Sequence, residues 1–278
     1  MTTSSHLDSQ WRPLVAARTR TRTVVAEANG HSYRIHLCVP EGAAPEGGWP
    51  SLIVLDGGAL FQSVADAERR LSHRPDATGV TPRVIIGVAH DGDTLYHPPQ
   101  RFRDFTPGPA VADEESNRHE TGGAAALLAF LVDELLPLID RTAPLDPTRR
   151  ALLGHSLAGY FALHALTARP DAFASLGAIS PSLWWNPALI LDAIPALPSP
   201  VPALYLAAGA LEQAAAGSHR SDRRMIGALE DLKAAADSAG WTDTALTIFP
   251  DENHASVVLP AAQRFLKFAT THDARTRG

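Results

Sequence analysis

The sequence predicts an α/β fold with a mostly parallel central sheet, an antiparallel hairpin at its N-terminal edge and helices on both faces. Three observations predict it. Short apolar runs without alternation recur along the chain, as in strands covered on both sides. Helical apolar periods lie between those runs, so strands and helices alternate. Ahead of them, Asn29-Gly30 separates two runs rich in β-branched and aromatic residues, the strongest short-range hairpin signal.

The hairpin spans Thr19 to Val39, with Thr23-Val24-Val25 and Tyr33-Arg34-Ile35-His36-Leu37 as its arms. A Pro/Gly/Glu loop from Pro40 to Pro50 leads into Ser51-Leu52-Ile53-Val54-Leu55, the first doubly covered strand. Five more follow: Val84 to Val88, Ala151 to Leu153, Ser175 to Ile179, Ala203 to Leu206 and Leu246 to Phe249. Between them, Leu127, Leu131, Leu135 and Leu138 share a helical face. Phe161, Leu163, Ala165 and Leu166 lie in a helix that must stop at Arg169-Pro170, because proline cannot continue it. Met225, Leu229, Leu232 and Ala236 form a third face ending at Gly240, and Val257 to Phe268 a last apolar helix. From Asp91 to about Asn117 neither period holds. This reads as a long functional loop, because it carries Tyr96, Arg101, Phe102, Arg103, Asp104 and Phe105.

The 278 residues contain no internal repeat and no linker long enough to separate a pair of domains. The expected organisation is a flexible tail over residues 1–15, a single domain over 16–270 and a second tail over 271–278. A hydrophobic fraction of 45% with 19% charged residues is a globular composition. The lone cysteine, Cys38, excludes an intramolecular disulfide framework and any Cys-based zinc site. No apolar run is long enough to span a membrane, and a net charge of −6 argues against nucleic acid as a partner. The opening MTTSSHLDSQ has no apolar stretch, so no secretory signal is visible and a cytoplasmic location is expected. Of the 24 basic residues only Lys233 and Lys267 are lysines. That usage fits a high-GC genome, so an arginine carries meaning only through its position.

The sharpest chemical signal is Gly154-His155-Ser156-Leu157-Ala158-Gly159, between a short apolar strand and a helix. Strand, tight turn and helix are the context of a nucleophile elbow, in which Ser156 sits on a strained turn with small neighbours. Ala158 stands where a glycine is usual, and alanine is small enough. The Leu157 N–H at the helix start is placed to hold an oxyanion. The competing reading is a serine that only caps a helix.

Elbows of the α/β-hydrolase fold take their partners in the order Ser, acid, His. His254 lies after the last strand and before the last helix, where the base belongs. His155 adjoins the nucleophile but points elsewhere on an elbow, and His90 ends a strand and is a candidate to line the pocket. Glu212 is the first carboxylate after the preceding strand, and Asp222, Asp251 and Glu252 are alternatives. The second oxyanion donor belongs after an early central strand, where Leu55-Asp56-Gly57-Gly58 points to the Gly58 N–H, with Gly57 as the alternative.

Five stretches together resemble the enterochelin (enterobactin) esterase family. They are Leu55-Asp56-Gly57, Arg101 to Pro107, Gly154-His155-Ser156, Ser180-Pro181-Ser182-Leu183-Trp184-Trp185 and Asn253-His254. The resemblance covers about Ser32 to Phe268. With some fifty residues before the Leu55-Asp56 strand, the chain is similar to the short siderophore trilactone hydrolases of that family. The resemblance implies cleavage of the ester bonds of a catecholate tri-serine lactone, free or ferric, with no cofactor and no resident metal. Any iron arrives with this small-molecule ester. It further implies that Arg101 and Arg103 meet catecholate oxygens and that Trp184 and Trp185 supply stacking surface. Arg101 aligns with an arginine of the family, whereas Arg103 stands where an aromatic residue is common. The plainer reading buries one tryptophan in the core and pairs the arginines with Asp104 or Asp113. The rival activities are general carboxylesterase and feruloyl or acetyl esterase chemistry. A non-catalytic ligand-binding relative would show a damaged triad, and Ser156 and His254 are both present.

Overall fold

Every residue of the strand Trp49–Leu55 is buried, as a strand between two helix layers must be. The computed structural model describes residues 15–92, 94–111, 118–213 and 223–275. Its strands are β1 (Thr19–Val25), β2 (Ser32–Cys38), β3 (Trp49–Leu55), β4 (Val84–His90), β5 (Leu145–His155), β6 (Ser175–Ile179), β7 (Ala203–Gly209) and β8 (Thr244–Phe249). They form one sheet in the order β1-β2-β4-β3-β5-β6-β7-β8. The β1/β2 and β2/β4 pairs are antiparallel, and every pair from β4/β3 to β7/β8 is parallel. The expected fold class is therefore the observed one.

The main helices are α1 (Gly57–Ser72), α2 (Pro98–Phe105), α3 (Leu157–Ala168), α4 (Met225–Ser238) and α5 (Val258–Arg275). Successive strand residues alternate between two apolar layers. Leu52 and Val54 pack with Leu60 and Phe61 of α1 and Phe265 of α5. Ile53 and Leu55 pack on the other face with Phe161 of α3 and Leu229 and Leu232 of α4. The Leu127 to Leu138 face is helical in three successive pieces, Ala124–Ala129, a π-helical Phe130–Leu135 and Leu136–Asp140. Pro137 has no N–H to contribute, which interrupts the regular ladder there.

Several local expectations change. The 91–117 stretch is not irregular throughout, because Pro98–Phe105 is helix α2 with proline at its first positions. The Ala151 to Leu153 strand is the core of an eleven-residue strand. The hairpin closes through an Ala26 N–H bond to the His31 carbonyl, so four residues make the turn. Gly30 alone takes the positive φ there, at 70°, and the Asn29 side chain accepts from the His31 N–H. At the other end, helix α5 continues to Arg275, into the stretch expected as a tail. The fully buried Arg83 donates to Thr270 and Asp273 of that helix, at 2.9 and 2.7 Å.

Because β3 to β8 run parallel, Leu55, His90, His155, Ile179, Gly209 and Phe249 all end at one edge of the sheet. The turns leaving those strand ends converge there, the side on which open α/β sheets bind ligands.

Candidate active site

The β5-to-α3 turn holds Ser156 at φ 60° and ψ −119°, a conformation that is strained for any residue with a side chain. The neighbouring sequence permits it. A Cβ built on Gly154 would collide with the Ala158 carbonyl, so strand and helix meet only because Gly154 has none. The turn is fastened to the next strand by the Ser156 N–H bond to the Ile179 carbonyl, at 2.9 Å, and by the Ser182 N–H bond to the Ser156 carbonyl, at 3.1 Å.

His254 arrives on the loop between β8 and α5. Its Nε2 lies 3.0 Å from Ser156 Oγ and its Nδ1 lies 2.7 Å from Glu212 Oε2. The loop is braced by Asn253, whose side-chain oxygen accepts from the Ala255 and Ser256 N–H groups. Glu212 ends the short turn Ala210–Glu212 after β7. Gly209 lets this turn approach the His254 loop, since a Cβ there would strike the Glu252 carbonyl.

The Glu212 carboxylate is 1% exposed. Its other oxygen accepts from the Ser180 hydroxyl at 2.5 Å and from the Gly209 N–H at 2.7 Å. Burial pushes its pKa up, but the bonds from His254, Ser180 and Gly209 outweigh burial and leave it below the ordinary glutamate value. An ionised carboxylate accepts from Nδ1–H, which leaves the Nε2 lone pair facing the serine hydroxyl. Serine, histidine and glutamate are thus in the order and reach that activate a hydroxyl nucleophile. Of the alternative acids, Asp251 and Glu252 lie on the histidine loop, and Glu252 contributes its main-chain carbonyl to the Leu211 N–H. Asp222 lies outside the described residues.

Leu157 opens α3 directly after the serine, and Gly58 lies in the first turn of α1, at the C-terminal end of the strand beside β5. Asp56, just ahead of Gly57-Gly58, takes a left-handed φ of 51°. Gly58 lines a concavity of about 180 Å³ together with Asp56, His90 and Tyr96. A larger cleft of about 460 Å³ opens on Ser156 and His254, walled by Trp184, Leu211, Arg223 and Met225.

The four expected substrate contacts fare differently. Arg101 is held by Asp56 as a two-pronged pair, Nε to Oδ1 at 2.8 Å and Nη2 to Oδ2 at 3.0 Å, and its guanidinium lies over Tyr96 and Phe105. That partner is Asp56 and not Asp104, and Asp113 lies outside the described residues. Arg103 forks onto Asp104 at 2.7 and 2.9 Å. Asp104 also accepts from the Tyr33 hydroxyl and lies 3.0 Å from His90 Nε2. Burial pushes the Asp104 pKa up, but the His90 and Arg103 contacts prevail and hold it at about 2. Both forks are thus occupied within the protein.

Trp184 stands in the wall of the cleft, whereas Trp185 corrects the expectation for it. Trp185 is fully buried, donates its indole N–H to the Gly108 carbonyl and packs against Phe102, so it is core. Sequence reasoning missed Arg223, whose guanidinium carbon lies 4.2 Å over the Trp184 ring. Among the described residues, no cluster of three or more His, Cys, Asp or Glu side chains is placed to hold a metal ion, and no helix is long and apolar enough to cross a membrane.

Comparison with known proteins bears on the family and the fold. The Esterase family model, described as putative esterase, matches residues 26–226. The ferri-bacillibactin esterase BesA of Bacillus subtilis is 32% identical over 268 residues, covering 92% of this chain and 90% of that one. Among solved structures, the BES protein from Bacillus cereus superposes with a TM-score of 0.81 at 28% identity, over 93% of this chain and 98% of the other. The siderophore hydrolase EstA from Aspergillus nidulans gives 0.80 at 28% identity, over 94% and 98%. With a family match across most of its length and a relative aligned from near one end to the other, this α/β-hydrolase-type chain belongs to the Esterase family.

Proposed function

We propose that this esterase hydrolyses the ester bonds of a siderophore, a catecholate trilactone in its free or ferric form, through an acyl-serine intermediate, and that it does so as a single α/β-hydrolase domain. The observation that carries the reading is the hydrogen-bonded chain Ser156–His254–Glu212, opening onto a cleft walled by Trp184 and Arg223. An aromatic face with a guanidinium against it suits a ligand that is both aromatic and anionic. The relatives named for ferri-bacillibactin, enterobactin and triacetylfusarinine C support the same substrate class.

The steps follow from the residues. His254 Nε2 takes the hydroxyl proton as Ser156 Oγ attacks the ester carbonyl, and the N–H groups of Leu157 and Gly58 receive the developing oxyanion. Glu212 holds the imidazole by its Nδ1–H and stabilises the cation that forms. Collapse breaks the carbon–oxygen bond to the leaving alcohol, which departs with the proton from His254. Water, deprotonated by the same nitrogen, then attacks the acyl-serine. This forms the carboxylic acid, and the proton returns to Ser156 Oγ.

The test is incubation of purified protein with enterobactin and with its ferric complex, following linear fragments by chromatography. Stepwise opening of either ring is the expected result. Brisk cleavage of p-nitrophenyl acetate with both rings intact would instead identify a general carboxylesterase and sink the siderophore reading.

A further inference from the structure

His155 precedes the nucleophile in the chain, and it is a buried histidine that the proposed reaction leaves unassigned. The residue is buried, at 7% exposure. The ring meets the loop that follows β8, where Nε2 lies 2.8 Å from the main-chain oxygen of His254. The two imidazoles are 4.8 Å apart between centroids, tilted by 40°. A carbonyl oxygen only accepts, so the proton must sit on Nε2 and the bond selects one tautomer.

The surroundings keep the ring neutral. Burial is the first cause of a pKa lowered to about 4, followed by the charge of His254. Arg101 acts in the same direction, while the carbonyl bond and Glu212 act against it. Neutrality suits the chemistry, because His254 becomes an imidazolium as Ser156 attacks, and a second cation at van der Waals range would oppose it.

The base itself needs holding. The His254 side chain is 48% exposed, so packing immobilises it little. Asn253 braces the two residues that follow His254, whereas the His155 bond reaches the main chain of residue 254 itself. Residue 155 is therefore joined to one reacting partner by a peptide bond and to the other by a hydrogen bond.

We propose that His155 is a positioning residue: its Nε2–H pins the His254 carbonyl and so sets the distance between His254 Nε2 and Ser156 Oγ. The inference rests on the assignment of Ser156 and His254 to the reaction, and it applies to any ester the site accepts. A lost pin lets the loop drift, and displacement of a proton acceptor by about 1 Å costs up to ~10²-fold in rate.

Three variants test it. His155→Gln keeps an N–H donor at similar reach, His155→Asn carries the same amide one methylene short, and His155→Leu keeps volume without a donor. The readouts are kcat and KM for p-nitrophenyl acetate, the rate of Ser156 labelling by a fluorophosphonate, and the melting temperature. The Gln variant is expected within about threefold of the parent, and the Asn and Leu variants about tenfold or more slower in kcat and labelling with KM unchanged. Wild-type rates in Asn or Leu would overturn the proposal. So would equal losses in all three, because the loss would then follow the ring and not the donor. If Leu does not fold, the Gln and Asn pair decides. Protein that cleaves p-nitrophenyl acetate but opens no siderophore would sink the substrate reading and leave this comparison readable. Wild-type protein inert to both probes would overturn the serine assignment and the positioning role together.

Discussion

The Ser180 hydroxyl donates to Glu212 Oε1 at 2.5 Å from a main chain held at φ 43°. Serine in that left-handed region is strained, and the strain is held by its fully buried setting and by the Ser180 N–H bond to the Ala207 carbonyl at 2.7 Å. The geometry aims the hydroxyl at the Glu212 carboxylate, so the Ser-Pro-Ser segment after β6 helps to keep Glu212 ionised.

Ser180→Ala removes one of three donors to that carboxylate. A depressed glutamate stabilises the fold at pH above its unfolded value, and the contribution is lost as pH falls through the lower folded value. Without the serine hydroxyl the folded value rises toward the unfolded one, so the variant has less of this stabilisation to lose and has lost it by a higher pH. Melting temperatures of both proteins between about pH 7 and about pH 3 check this, with the curves diverging toward the neutral end. Parallel curves would mean that Ser180 does not bear on the acid.

Glu212→Gln keeps the shape of the acid but removes its charge and offers an amide where Nδ1–H needs an acceptor. The imidazole then favours the wrong tautomer, and kcat on a simple ester should fall by about 10⁴-fold, as for the corresponding change in other serine triads. Ser156→Ala should abolish fluorophosphonate labelling and reduce turnover by about 10⁶-fold. Intact-protein mass spectrometry of the labelled enzyme and steady-state kinetics read both effects. Residual labelling of Ser156→Ala would place the nucleophile elsewhere.

Arg101→Ala distinguishes two roles for this arginine. Its fork lies on Asp56, which sits directly before Gly57-Gly58, and the two side chains are 15% and 2% exposed. Removing one member of a buried pair strands the other charge and costs about 3–5 kcal/mol. The variant should melt lower and lose activity equally on ferric enterobactin and on neutral p-nitrophenyl acetate, because the turn carrying the Gly58 N–H is disturbed for both. Arg101→Lys cannot reproduce the fork and should recover only a fraction of the stability. A loss confined to the ferric substrate would instead restore the arginine as an anion clamp.

The sheet, the strained turn at Ser156 and the meeting of Ser156, Glu212 and His254 were legible because each rests on local pattern and strand order. Apolar runs mark covered strands, and Gly154-His155-Ser156 between strand and helix marks the strained turn. What was not legible depends on contacts between distant segments. Helix α2 is only eight residues long and begins Pro98-Pro99, which reads as a breaker although proline is tolerated in a first turn. Arg101 and Asp56 are 45 positions apart, and nothing local distinguishes that partner from Asp104. The contact between His155 and the His254 carbonyl spans 99 positions and involves main chain, which no residue pattern encodes. Trp184 and Trp185 are adjacent and equally aromatic, and only the packing against Phe102 and Gly108 decides which one turns inward.

That adjacency gives the last test. Trp184 and Arg223 form the cation–π contact in the cleft wall, whereas Trp185 is sealed in the core. Stacking and cation–π contacts of this kind are worth about 1–2 kcal/mol, so Trp184→Ala and Arg223→Ala should each raise KM for an aromatic, anionic ester about five- to tenfold. Turnover of p-nitrophenyl acetate and the melting temperature should stay near the parent values. Trp185→Ala should behave in the opposite way, destabilising the fold by about 3–5 kcal/mol through the cavity it leaves. Steady-state kinetics on both esters together with thermal melts separate the two tryptophans. A Trp184→Ala enzyme with unchanged KM for the siderophore would remove the cleft wall from substrate recognition, since the aromatic face would then be absent without consequence for the ligand it is taken to hold.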